Sequence, residues 1–135
     1  MPAGERDLPV LLAALDPELH PGRYVFALAP GDGIPAGADI VATVREDEGL
    51  TLVLALEDAE RAGLSYDDPM QWITLRVHSA LDAVGLTAAF STALAVAGIS
   101  ANVIAGLHHD HVFVPAGQGE QAVQVLRALS AASQP

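Results

Sequence analysis

His108, His109, Asp110 and His111 place four side chains that can ligate a metal or carry a proton at consecutive positions. On a strand, residues two apart share a face, so His109 and His111 offer two imidazoles to one side. A zinc site needs a third or fourth ligand, from Asp110, His78 or a second subunit. The competing reading is a hairpin turn whose polar side chains satisfy backbone groups. It is preferred, because short motifs of this kind match by chance. No metal is therefore assigned, with His109 and His111 kept as the candidate ligands. His78, Ser79 and Asp82 hold the residue types of a catalytic triad, but such close neighbours cannot form the relay. Gly31-Asp32-Gly33 lacks the lysine and helix of a phosphate loop. Glu46-Asp47-Glu48 reads as a solvated hairpin tip. None of these patterns implies a cofactor or a catalytic residue, and no enzymatic activity is expected.

A binding site is a stronger reading than an active site. Residues 79–84 form a loop feeding a helix whose first residues are Leu86 and Thr87. Free amides at a helix start, favoured by the helix dipole, hold a carboxylate. Gly85 lets a ligand approach the backbone closely. Asp82, Val84, Gly85, Leu86 and Thr87 are the candidate ligand-binding residues here. The competing reading is a tight turn capped by Asp82, with no ligand. Asn102, on the strand after the helix, is the remaining candidate. It faces away from Ile99, Ala101 and Val103, as a ligand contact or as a solvent-facing polar residue.

Composition limits the partners. The 135 residues carry a formal net charge of −11, and the six basic residues are all Arg. Nucleic-acid affinity comes from cationic side chains displacing counterions, so this chain is not expected to bind nucleic acid, and anionic membranes are disfavoured alike. Hydrophobic residues make up 51%, enough for one domain or two small subdomains sharing a core. Aromatics are only 4%, so Val, Leu, Ile and Ala must build that core. There is no cysteine, the first residues are polar and unlike a signal peptide, and no apolar run reaches the roughly 20 residues that span a bilayer. A cytoplasmic location is expected.

Periodicity supplies the elements that position these residues. Residues 8–15 read as a helix capped by Asp7 and stopped by Pro17. A strand is expected over 23–28, a Gly/Pro-rich loop over 29–38, and strands over 40–45 and 50–56 joined by the hairpin Glu46–Gly49. Leu50, Leu52, Leu54 and Leu56 share one face. A short helix over 57–62 and a linker over 65–69 follow. The second half has a strand over 72–78 with Ile73, Leu75 and Val77 on one side. A helix over 86–97, a strand over 99–106, a strand over 111–114 and a helix over 117–129 complete it. Its order is β-α-β-β-α. From Arg23 the first half reads β-loop-β-β-α, a degenerate duplication in which the loop stands for a helix.

Three features carry a family resemblance: the strand Ile73-Thr74-Leu75-Arg76-Val77, the step Val84-Gly85-Leu86 into a helix, and Gly98-Ile99-Ser100-Ala101-Asn102-Val103 after it. This segment resembles an ACT domain, an amino-acid-sensing module. The whole chain resembles short stand-alone tandem-ACT proteins, through His20–Phe26, Glu48–Leu54 and His108–Pro115. The resemblance implies an α+β, ferredoxin-like fold of two βαββαβ-type halves, with antiparallel sheets covered by helices. The N-terminal half, residues 1–68, is degenerate, and residues 69–135 form the C-terminal half. The resemblance also implies a regulatory module that binds an amino acid or related metabolite between ACT-like units, near Gly85 and Asn102, as a homodimer. Two alternatives stand beside it: a metal-binding protein or metal-dependent enzyme built on the histidines, and an acidic protein–protein adaptor. One departure is evident. An ACT unit ends in a fourth strand after its second helix, and here almost no chain follows Leu129. The missing strand must come from exchange, from the N-terminal segment, or from nowhere.

Overall fold

The computed structural model describes residues 4–134. It contains four helices, α1 Leu8–Ala13, α2 Leu56–Arg61, α3 Leu86–Val96 and α4 Gly119–Ala132. The strands are β1 Pro17–Leu19, β2 Tyr24–Leu28, β3 Ile40–Glu46, β4 Gly49–Ala55, β5 Met70–Leu75, β6 Asn102–Ala105 and β7 Asp110–Pro115. The described residues form two compact units, Pro21–Met70 and residues 4–20 with 71–134. Residues 4–20 pack with the second of these units.

In the unit Pro21–Met70 the strand order is β3-β4-β2, all antiparallel. Glu46 pairs with Gly49 across a two-residue turn, and Gly49 takes the positive φ that closes it. The two-residue period turns Val25, Ala27, Leu52 and Leu54 inward against Ala59 of α2, with Leu50 and Leu56 at the margin of the same core. Residues 29–39 are turns in place of a helix, with Gly33 and Gly37 at positive φ. The carboxylate of Asp58 ties this loop to α2. It accepts the Asp39 amide at 3.0 Å and an Arg61 N–H at 2.6 Å. Those donors hold its pKa below the ordinary value.

In the other unit the order is β1-β5-β7-β6. The fourth strand is supplied by the N-terminal segment: β1 pairs antiparallel with β5, Pro17 opposite Leu75 and Leu19 opposite Ile73. Asp7 caps α1 by accepting the Val10 amide at 3.3 Å, as its position predicts. One core joins Leu11 and Leu15 to Ile73 and Leu75, to Leu86, Phe90 and Leu94 of α3, to Val112 and Val114, and to Ala122 and Leu126 of α4. The spacing of Leu86, Phe90 and Leu94 puts all three on the buried stripe of α3. Phe90 is fully enclosed, so its truncation to Ala costs about 3–5 kcal/mol.

Two strand boundaries differ from expectation by three residues. β5 ends at Leu75 rather than 78, because the Arg76 and Val77 amides turn to the carbonyls of Asp16 and Leu15. β6 starts at Asn102 rather than 99. Gly98 closes α3 at positive φ, and the Ile99 amide bonds back to the Leu94 carbonyl while its side chain enters the core. Among the described residues no helix is long and apolar enough to cross a membrane.

Candidate functional site

The loop between β5 and α3 is shaped by residues from the other end of the chain. Glu5 bridges to Ser79: its amide donates to the His78 carbonyl at 3.0 Å, and its carbonyl accepts the Ala80 amide at 2.9 Å. Only glycine fits just before it, since a Cβ on Gly4 would stand 2.5 Å from the Ser79 carbonyl carbon. The Arg6 guanidinium donates to Asp82 at 2.9 Å, an exposed pair of small energetic weight. Leu8, the first residue of α1, reaches over Gly85.

Gly85 is the N-cap of α3, at φ +99°, and no side chain caps the helix. At the start of α4, by contrast, Gln71 Oε1 accepts the amides of Gly117 and Gly119 at 2.9 and 2.8 Å. The first-turn donors of α3 have no such side-chain acceptor. A pocket of about 70 Å³ opens beside them, lined by Ser79, Ala80, Leu86, Thr87, Gly106 and Asp110 among others. Asp110, the first residue of β7, is 8% exposed, and burial raises its carboxyl pKa while the charge of His109 opposes the shift.

The candidate residues separate accordingly. Leu86 and Thr87 line the pocket. Gly85 opens the helix under Leu8. Asp82 pairs with Arg6 and does not cap α3, and Val84 is 84% exposed. Asn102 pairs with Phe113 at the far end of β6 from the Ala105–Asp110 pair. At roughly 3.3 Å per residue that is about 10 Å along the strand. Asp110, read from sequence as a turn residue or zinc ligand, belongs to this pocket. No sequence pattern marked Gly4, Glu5, Arg6 or Leu8, because their contacts lie more than 70 residues away.

The two candidate zinc ligands turn to separate partners. His109 precedes β7 and its Nδ1 lies 3.4 Å from the Val77 carbonyl. His111 Nδ1 accepts the Trp72 indole N–H at 3.1 Å and so carries a lone pair, which the Thr74 hydroxyl also approaches at 3.1 Å. Thr74 must then donate to it, and accept from His20 Nε2 at 2.7 Å. His20 stacks on Trp72 with ring centroids 3.6 Å apart. Burial is the main cause lowering the pKa of both His20 and His111. Among the described residues no group of three or more His, Cys, Asp or Glu is placed to hold a metal ion.

Two ACT-domain family models match the chain in tandem, over residues 3–71 and 69–128. No curated protein matches it. Among solved structures, a protein of unknown function from Vibrio cholerae, described as a possible transport protein, is 49% identical. The match covers 91% of this chain and 95% of that one, with a TM-score of 0.80. A protein from Agrobacterium tumefaciens is 23% identical over 84% of this chain and 87% of its own, with a TM-score of 0.69. The regulatory subunit of aspartate kinase from Thermus flavus shares the fold at 12% identity, covering 84% of this chain and 95% of that one, with a TM-score of 0.61. Two matched family models, the βαββα order of the C-terminal unit and a fourth strand lent by the N-terminal segment identify the chain as a member of the ACT-domain family.

Proposed function

We propose that this chain is a non-catalytic regulatory module that binds a small metabolite, an amino acid or a relative of one, at the start of α3. The observation that carries the reading is the uncapped first turn of α3, whose Leu86 and Thr87 line a pocket beside Gly85. Such a turn offers amide donors and a positive dipole end to a carboxylate. The likeness to a regulatory subunit of aspartate kinase supports a regulatory role.

The pocket is small, about 70 Å³, and a second copy of the chain closing over it would complete an interface site. A homodimer in the cytoplasm, with residues 1–68 and 69–135 as its two ACT-like halves, is part of this reading. Ligand bridging two copies would then shift an existing equilibrium between arrangements, and an interacting protein would read the shift. The test is a thermal-shift screen of the common amino acids. At tenfold above its Kd, a ligand specific to the folded state adds about 1.4 kcal/mol and raises Tm by several degrees. If none of them stabilises the protein at millimolar concentration, the reading is wrong.

A further inference from the structure

Asp110 is more than nine-tenths enclosed. Among the described residues none donates a hydrogen bond to its carboxylate and none forms an ion pair with it. The side-chain oxygen found wholly enclosed without a partner is Gln118 Oε1, not an oxygen of Asp110. The Asp110 oxygens thus keep access to solvent, and Asp110 lines the pocket together with Ser79, Ala80, Leu86, Thr87 and Gly106. A buried carboxylate is costly unless it is neutralised or paired. The Arg6 guanidinium pairs instead with Asp82. The charge of the neighbouring His109 acts on the Asp110 carboxyl without forming an ion pair with it.

We propose that Asp110 is the ammonium-binding group of this pocket, so that the ligand must bring a primary ammonium to Asp110 as well as a carboxylate to the amides of Leu86 and Thr87. The proposal rests on the functional reading above and narrows it to zwitterionic α-amino acids, excluding simple carboxylic acids. Size agrees: about 70 Å³ equals the share of two waters, about 30 Å³ each, which admits an amino-acid head group and leaves the side chain at the mouth. Charge agrees as well, since a net charge of −11 disfavours an anionic ligand and leaves a zwitterion unaffected.

Calorimetric titration of the full chain tests it with the common amino acids, their N-acetyl derivatives, which lack the ammonium, and their amides, which lack the carboxylate. The N-acetyl forms are expected to bind at least about tenfold more weakly than the parent amino acid, the loss for one charge-assisted hydrogen bond. Asp110→Asn keeps the side-chain shape, removes the buried charge, and is expected to lower affinity for the parent amino acid by about the same factor. N-acetyl forms binding as well as the parents would overturn the assignment with no variant needed, as would undiminished amino-acid binding by a folded Asp110→Asn protein. Either result would leave the metabolite-binding reading standing. Absence of binding by every compound to the wild-type protein would remove both.

Discussion

A Cβ placed on Gly85 would lie 3.0 Å from Cδ2 of Leu8, so the residue that opens α3 and the residue that opens α1 are fitted to one another. The fit couples the N-terminal segment to the loop before α3 through packing, where the exposed Arg6–Asp82 pair contributes little.

Gly85→Ala is expected to cost about 1–2 kcal/mol from the positive φ alone, with a further contribution from the contact with Leu8. In a Leu8→Ala background the contact term disappears and the backbone term remains. Urea denaturation of the wild type, both single variants and the double variant reads the difference. Strict additivity, within about 0.5 kcal/mol, would show that the two residues do not interact.

Gln71→Ala removes the acceptor for the Gly117 and Gly119 amides. A lost helix cap typically costs about 1 kcal/mol, and the same denaturation experiment detects it. Hydrogen exchange at Gly117 and Gly119 should quicken while the first turn of α3 is unchanged. Unaltered exchange at both amides would contradict the capping role.

The two imidazoles on Thr74 predict a pH dependence of stability. Folding lowers both pKa values from 6.5, mainly by burial. Among the charges near them, Glu18 opposes the shift at His20, while Arg76 adds to it at both and His109 adds to it at His111. The folded state therefore binds fewer protons than the unfolded one. Their contribution is complete above about pH 6.5, and it declines as pH falls from there to the lowered folded-state values. Protonation of His111 at Nδ1 would also set a third donor hydrogen against those of the Trp72 N–H and the Thr74 hydroxyl. Denaturation midpoints followed downward from neutral pH should fall more steeply for the wild type than for a His20→Gln/His111→Gln variant. Parallel curves would refute the prediction.

Much of the architecture was legible because local signals carry it. Asp7 capping α1, Gly98 ending α3 and the Leu86-Phe90-Leu94 stripe need no knowledge of distant residues. The family resemblance, carried by residues such as Gly85, then supplied the ferredoxin-like order. The pocket was legible only in part. Leu86 and Thr87 follow from the helix start, but Asp110 meets them only after β6 and β7 have paired, with Ala105 opposite Asp110. The same limit applies to His111. Its spacing from His109 suggested a shared metal, whereas its actual partners, Trp72 and Thr74, lie on a neighbouring strand. The strand lent to β5 was one of three open possibilities, since pairing of residues 17–19 with 73–75 leaves no trace in either segment alone.

That loan of β1 has a consequence for the order of events during synthesis. The segment Pro21–Met70 is continuous, and its hairpin contacts become available as soon as it leaves the ribosome. β1 emerges earlier still, yet its partner β5 lies more than 50 residues downstream, and the core that encloses Leu11 and Leu15 also needs α4. Leu11 and Leu15 must therefore wait for α4, made more than 100 residues after them. At about 5–20 residues per second, that interval is about 5–20 seconds, during which an apolar stretch around Leu11 and Leu15 has no native place to go and is open to capture by a chaperone.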